Sequence, residues 1–258
     1  MYIDIHCHLT GTEYDSVDAV LERAREHGVH RIVCSAFDLD SAYEAAELAE
    51  LYEEIYFCVG FHPSELHKYQ EGDLERLRIL CECEKCIAVG EIGLDYHFDD
   101  NPSPETQREF FHRQLVLADE MGLPVVIHSR DAARETLEFL RERKHLLRRG
   151  GLMHCYSYSA EMMKDFEELG FSFSFGGPST FKNAKKVQEC VERVPAHLLL
   201  SETDCPYLTP VPFRGTFPNE PKNVKYVVDN MAVLRNENVE ELKKQIAENA
   251  KKLFPKLK

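Results

Sequence analysis

Two histidines separated by one residue lie near the start of the chain, where His6 and His8 follow the apolar residues Ile3 and Ile5. Side chains alternate along a β-strand, so both imidazoles would project from the same face if this stretch is a strand. Imidazole is a common metal ligand, and a pair with this spacing can hold one cation. Taken alone, the pair fits a metal site and also two unrelated polar residues near a terminus.

Further side chains that bind metals or move protons directly follow apolar runs elsewhere in the chain. If these runs are parallel strands of a barrel, their C-terminal ends lie on the rim that carries the catalytic residues of barrel enzymes. Four histidines with one to three carboxylates are too many for one tetrahedral zinc ion, and they suit two cations that share a bridging carboxylate. The complete candidate set is His6, His8, Glu91, His128, His154, Glu202 and Asp204.

The elements that would position these residues alternate between short apolar runs and helical patterns. This alternation predicts the α/β class and a (β/α)8 TIM barrel, forming a single metal-dependent hydrolase domain over residues 1–258 with C-terminal helices. An open doubly wound sheet is the alternative, but no glycine-rich phosphate-binding loop supports it. The predicted strands are 2–6, 31–35, 56–60, 87–91, 124–128, 151–154, 172–175 and 198–202, and the predicted helices are 17–27, 42–53, 73–81, 106–121, 132–147, 160–169 and 184–191.

A proline-rich segment, 203–221, follows the last predicted strand and precedes two further predicted helices, 222–234 and 239–254. Its prolines exclude regular helix and central strand. Long ordered loops of this kind are more often functional than idle. We therefore expect the segment to contribute to a binding site.

Composition restricts the class of protein. The 258 residues carry 31 Lys and Arg against 45 Asp and Glu, which gives a net charge of −14. Such an acidic chain is not a protein that coats nucleic acid through a long basic footprint. The nine cysteines show no secreted disulfide framework, and we find no signal peptide or membrane-spanning apolar run. These features predict a cytoplasmic enzyme with no membrane association and no obligate protein partner.

Several segments together resemble the TatD-type metal-dependent deoxyribonucleases of the amidohydrolase-like barrel superfamily. The similarity runs in the family's order from position 5 to position 221. Two departures are visible, since Thr10 stands where the family often has Asp and Tyr156-Ser157-Tyr158 replaces a commoner Phe-Ser-Gly. The matching segments begin at Ile5, Gly60, Val89, Pro124, Met153 and Leu200, and shorter matches lie at Arg214 and Asn219.

The resemblance implies a division of the ligands between two divalent ions. His6, His8, Glu91 and Asp204 would hold one ion. Glu91, His128 and His154 would hold the second, so that Glu91 bridges both. The resemblance also implies magnesium or manganese for activity, whereas imidazole ligands favour zinc or another transition metal as the bound species.

The same reading assigns roles around the ions. Asp204 is the candidate general base beside the attacking water, and Glu202 either acts directly or orients a ligand. Arg214 is the candidate phosphate clamp, because a guanidinium matches two phosphate oxygens. His62 and Arg130 are candidate substrate contacts, each with a structural alternative: a local hydrogen bond for His62 and a nearby acid for Arg130.

Two functions remain open at this stage. The first is hydrolysis of DNA phosphodiesters, with DNA ends or short single strands as substrate and 3′-to-5′ polarity implied by the family. The second is hydrolysis of an ester or amide, such as removal of a D-aminoacyl group from tRNA. Related barrels of the second kind often bridge their metals with a carboxylated lysine, and Glu91 at that position favours the nuclease. A non-catalytic metal-binding scaffold would be expected to lack at least one candidate ligand or Asp204, and none of them is missing from this sequence.

Overall fold

The computed structural model describes all 258 residues and contains eight strands in one sheet. The sheet order follows the chain from the first strand to the eighth. The first and second strands run parallel, as do the third to the sixth, and the seventh and eighth. The strands are β1 Tyr2–Cys7, β2 Val29–Ser35, β3 Ile55–Val59, β4 Cys86–Asp95, β5 Val125–Arg130, β6 Gly151–Met153, β7 Phe171–Phe175 and β8 Leu199–Ser201.

Helices alternate with these strands, so the predicted (β/α)8 barrel is confirmed. Most strands are buried along their whole length, as expected for parallel strands covered by helices. The helices are α1 Val17–Glu26, α2 Leu39–Leu51, α3 Asp73–Cys81, α4 Pro104–Met121, α5 Ala133–Glu142, α6 Ala160–Glu167, α7 Lys185–Arg193, α8 Val224–Arg235 and α9 Val239–Leu253.

Capping residues determine where several helices begin. Ser16 accepts a hydrogen bond from the backbone of α1, and Ser103 does so for α4, whose first residue is Pro104. Asp38 forms a capping box with Ser41, so α2 begins before residue 42, where the apolar pattern placed it. Helix α5 ends at Glu142, earlier than predicted, and a short 3-10 turn follows.

Close contacts group the residues into two compact units. The single domain over residues 1–258 that the sequence predicts therefore stays a prediction. One unit comprises Met1–Cys34, His154–Lys164 and Phe173–Lys252. Within it β1 pairs with β2, and β8 lies beside β1. The Ser201 hydroxyl donates to the carbonyl of Ile3 at 2.9 Å, which joins these two strands directly.

The other unit comprises Ser35–Met153, Asp165–Ser172 and Leu253–Lys258. Its strands β3, β4, β5 and β6 pair in parallel. The rings of Phe111 and Phe139 stack between α4 and α5 with centroids 4.8 Å apart, and both side chains are buried. The final residues return to this unit, where the backbone N–H of Lys258 donates to the Tyr56 hydroxyl at 3.2 Å.

No helix has both the length and the continuous apolar surface that crossing a bilayer requires.

Candidate metal centre

His6, His8 and Asp204 form one cluster of metal-binding side chains, at the end of β1 and just after β8. Nε2 of His6 lies 3.6 Å and Nε2 of His8 lies 3.4 Å from Oδ1 of Asp204. One ligand atom from each residue lies within 4.8 Å of the others. The structure therefore brings together these three residues, which the sequence predicted to share an ion.

The backbone holds this cluster through two hydrogen bonds between its segments. The N–H of Asp204 donates to the carbonyl of His6 at 3.0 Å, and the N–H of His8 donates to the carbonyl of Cys205 at 2.7 Å. These bonds continue the pairing of the two chain segments past the end of β8. These bonds thus fix the backbone from which the two imidazoles and the carboxylate project.

The Asp204 carboxyl is favoured in its ionised form. Burial alone would raise its pKa, but the hydrogen bond from His8 and the nearby charges of His154 and His6 outweigh it and lower the pKa. An ionised carboxylate is the form that binds a cation or accepts a proton. Asp204 is therefore suited to both roles predicted for it.

His154 and Glu202 extend this cluster. The ring of His154 stacks on the ring of His6 with centroids 4.0 Å apart, and its Nδ1 lies 3.7 Å from Oε1 of Glu202. Glu202 is 0% exposed, and its Oε2 accepts a hydrogen bond from the hydroxyl of Ser174 at 2.5 Å. Its Oε1 has no hydrogen-bond partner. A fully buried carboxylate oxygen of this kind needs a positive partner, and a bound cation meets that need.

His62, Glu91 and His128 form a second cluster, around strands β4 and β5. Nδ1 of His128 lies 2.6 Å and Nε2 of His62 lies 3.5 Å from Oε1 of Glu91. The two imidazole rings meet at an interplanar angle of 72° with centroids 4.3 Å apart. Ligand atoms of the three residues again lie within 4.8 Å of one another. The structure thus places His62, which the sequence assigned to substrate, among the metal-ligand candidates.

Asp95 is a site residue that sequence reasoning did not single out. Its Oδ2 lies 3.0 Å from Nε2 of His128, opposite the contact with Glu91. Burial raises the pKa of Asp95, but the hydrogen bond with His128 leads the interactions that lower it overall. A signal was present, because Glu91, Gly93 and Asp95 alternate at the period of a strand, and β4 extends to Asp95 instead of ending at Glu91.

The remaining predicted substrate contacts are placed as follows. His62 accepts a hydrogen bond from the backbone of Ser64 at 3.2 Å and so caps a 3-10 turn. This is the local hydrogen bond that the sequence predicted as the alternative to a substrate contact. The exposed guanidinium of Arg130 lies over the ring of Phe98, with 5.1 Å from Cζ to the centroid. The exposed guanidinium of Arg214 lies over the ring of Phe181 at 4.0 Å.

The donor set fits divalent cations. Each cluster combines imidazole nitrogens with at least one carboxylate, which is the mixture that zinc, manganese and iron sites use. All six predicted ligands, namely His6, His8, Glu91, His128, His154 and Asp204, belong to one of these groups.

Comparisons with known proteins identify the family. A family model described as TatD related DNase matches residues 3–255. An uncharacterized metal-dependent hydrolase of Bacillus subtilis, YabD, is 44% identical over 255 residues, which are 98% of this chain and 99% of that protein. Another uncharacterized metal-dependent hydrolase, YcfH of Escherichia coli, is 38% identical over 256 residues, with 98% and 95% covered.

Solved structures show the same fold. The crystal structure of YjjV, a TatD homolog from Escherichia coli, has a TM-score of 0.91 at 33% identity and covers 98% of both chains. A TatD family hydrolase from Entamoeba histolytica has a TM-score of 0.86 at 24% identity, covering 98% of this chain and 97% of that one. Together with the ligand clusters, these matches show that the chain belongs to the TatD family of metal-dependent hydrolases.

Proposed function

We propose that the protein hydrolyses DNA phosphodiesters with two divalent ions, as a 3′-to-5′ exodeoxyribonuclease working in the cytoplasm. The observation that carries this proposal is the presence of two separate imidazole–carboxylate clusters, each large enough for one ion. Two-ion sites are typical of nucleases and phosphatases. The nine free cysteines support a reducing compartment.

Each cluster would hold one ion. His6, His8 and Asp204 would ligate the first, and Glu91 and His128 would ligate the second. The sharing of Glu91 between both ions, and the place of His154 on the second, stay predictions. When bound, such ions lower the pKa of water, neutralise the phosphodiester and stabilise the leaving oxygen.

The protein's own proton acceptor would be Asp204. Its Oδ1 faces His6 and His8, which leaves Oδ2 to take a proton from the attacking water. The lowered pKa keeps the carboxylate ionised at neutral pH. Glu202 would orient the imidazole of His154, since its Oε1 lies 3.7 Å from Nδ1 of that ring.

Three cationic or hydrogen-bonding side chains would contact the substrate phosphates: Arg214, Arg130 and His62. The guanidinium of Arg130 lies over the ring of Phe98 and that of Arg214 over the ring of Phe181, and each would pair with phosphate oxygens through its N–H donors. His62 would act beside the ion that its cluster holds. The net charge of −14 suits an enzyme that grips a strand end through cations and a few side chains.

An end-labelled single-stranded DNA oligonucleotide tests this function. The purified protein, stripped of metal and resupplied with magnesium or manganese, should shorten the labelled strand stepwise from its 3′ end. Asp204→Asn should fold and retain much of its metal but release no nucleotides, which excludes a contaminating nuclease. If the wild type leaves the oligonucleotide intact with every divalent metal, the nuclease proposal is wrong and an ester or amide substrate such as D-aminoacyl-tRNA becomes the next to assay.

A further inference from the structure

Exposed aromatic side chains are concentrated in the proline-rich loop that follows Asp204. Tyr207 is 53%, Phe213 is 41% and Phe217 is 63% exposed. The rings of Tyr207 and Phe217 have centroids 6.3 Å apart, and the ring of Phe213 packs edge-on against Tyr226 at 5.2 Å. We call Tyr207, Phe217, Phe213 and Tyr226 the aromatic row.

The row begins at the candidate metal centre. The backbone N–H of Tyr207 donates to the carbonyl of Asp204 at 3.0 Å, so the first ring of the row lies one tight turn from the proposed base. A groove of about 430 Å³ is lined by Phe213, Phe217 and Tyr226 together with Lys222, whose ammonium group pairs with Glu220 at 3.2 Å. This volume is within the range of about 300–1,000 Å³ for small-ligand pockets.

The loop that carries the row is held in place by buried hydrogen bonds. Asn219 is 0% exposed, and its side-chain amide donates to the carbonyls of Tyr207 at 2.7 Å and Thr203 at 3.2 Å. The Thr209 hydroxyl donates to the carbonyl of Thr216 at 2.7 Å, which closes the loop internally. The rings are therefore presented to solvent by an ordered backbone, and grouped aromatic exposure on an ordered surface indicates a binding site.

Cationic side chains adjoin the loop. Lys182, Lys185 and Lys186 are exposed on the segment that follows β7, and Arg214 lies over the ring of Phe181 on that same segment. We call these four the basic patch. The Thr180 hydroxyl accepts a hydrogen bond from the backbone N–H of Val211 at 2.9 Å, which joins this segment to the aromatic loop.

We propose that the aromatic row and the basic patch together bind a single-stranded nucleic acid, with bases stacked on the row and phosphates at the patch. This inference rests on the proposed function and names the surface that would hold its substrate: the strand would extend from the metal centre past Tyr207 and Phe217 into the groove. Exposed aromatic rings on which bases can stack, placed beside cations, are the combination that single-strand binding proteins use. The bases of a duplex already stack on each other, so a duplex offers no free base faces for the row.

Binding of a fluorescein-labelled twelve-residue oligothymidylate, followed by anisotropy in EDTA, tests the inference without any cleavage. Tyr207→Ala and Phe217→Ala should each raise Kd roughly five- to 150-fold, which corresponds to losing one stacked base. Phe217→Trp keeps an aromatic face and should therefore bind about as tightly as the wild type, unlike Phe217→Ala. Tyr43→Ala removes an aromatic ring that is 43% exposed on α2 and should leave Kd unchanged.

The contribution of the patch has its own signature in salt. Replacing Lys182 and Lys186 together with alanine should reduce the slope of log Kd against log salt by about 1.4, the value for two phosphate contacts on a single strand. Replacing Lys251 and Lys252, which are exposed on α9, should leave the slope unchanged. Oligothymidylate and oligouridylate run in parallel distinguish DNA from RNA as the preferred strand.

The inference would be overturned by wild-type protein that does not bind single strands, or by Tyr207 and Phe217 variants that bind as the wild type does. The inference would also be contradicted if the Tyr207 and Phe217 variants weakened duplex binding as much as single-strand binding. The bases of a duplex stack on each other and leave no face for the row. If the proposed nuclease function is wrong but this inference is right, single strands will bind in EDTA with the expected dependence on the aromatic row. They will not be cleaved when metal is added.

Discussion

The side-chain carboxyl group of Asp4 accepts two hydrogen bonds from Thr203, one from the backbone N–H at 2.8 Å and one from the hydroxyl at 2.5 Å. Both residues are fully buried. Asp4 lies on β1 two residues before His6, and Thr203 immediately precedes Asp204. This pair therefore ties together the two backbone segments that carry the first ligand cluster, and a shift in either would separate the imidazoles from the carboxylate.

Breaking this pair should destabilise the protein. Asp4→Ala leaves the N–H of Thr203 buried without an acceptor, which costs about 1–3 kcal/mol in the free energy of unfolding. Thr203→Val removes the hydroxyl donor, and a double-mutant cycle by urea unfolding of metal-free protein should give a coupling energy of about 0.5–3 kcal/mol. Strictly additive effects would show that the two side chains do not interact.

Gly93 should be irreplaceable for a reason distinct from its backbone conformation. A Cβ at this position, where φ is +146°, would lie 1.9 Å from the carbonyl oxygen of His128. Gly93→Ala must therefore displace β5 at a proposed ligand, and we expect loss of folded protein or of metal-dependent activity. Gly72, with φ +93°, has no atom within 4 Å of a Cβ. Gly72→Ala tests backbone strain alone and should lower the thermal unfolding temperature less than Gly93→Ala does. Equal losses in the two variants would contradict the clash at Gly93.

The cap of α2 predicts a pH-dependent contribution to stability. Burial raises the pKa of Asp38, but hydrogen bonds from Lys68 and Ser41 outweigh it and lower the pKa overall. The stabilisation is thus fully present above the unfolded value of about 3.9 and is lost as the pH falls through the lower folded value.

Asp38→Ala should lower the free energy of unfolding by about 0.5–2 kcal/mol at pH 7. The deficit relative to wild type should shrink as the pH falls below about 4. Asp38→Asn keeps a good capping side chain and should recover most of the loss. Urea unfolding at several pH values measures this, and a deficit that stays constant down to pH about 2 would show that the ionised carboxylate does not contribute.

Metal content should separate the two clusters. His8→Ala removes a ligand from the cluster around Asp204, and His128→Ala removes one from the cluster around Glu91. Each variant should retain about one ion of the pair after dialysis, measured by plasma mass spectrometry, because the other cluster keeps its ligands. His112→Ala, exposed on α4 and a member of neither cluster, is the matched control. Loss of all metal in either variant would indicate that the two ions bind only together.

Much of the fold could be predicted, because parallel strands have a clear apolar signature, and the candidate ligands could be located because they directly follow those strands. All eight strands and nine helices were predicted in order, and His6, His8 and Asp204 do meet. The extension of β4 to Asp95 was not predicted, since Gly93 interrupts the apolar run. The position of His62 beside Glu91 depends on a 3-10 turn that has no strong periodicity.

The most direct test of a two-ion nuclease is a manganese titration of metal-free protein, with bound ions and hydrolysis of a labelled single-stranded oligonucleotide measured in the same samples. We predict negligible hydrolysis in EDTA, activity that rises as the second ion binds, and none at any manganese concentration for Asp204→Asn. Hydrolysis by Asp204→Asn at the wild-type rate, or full activity in EDTA, would contradict the proposal.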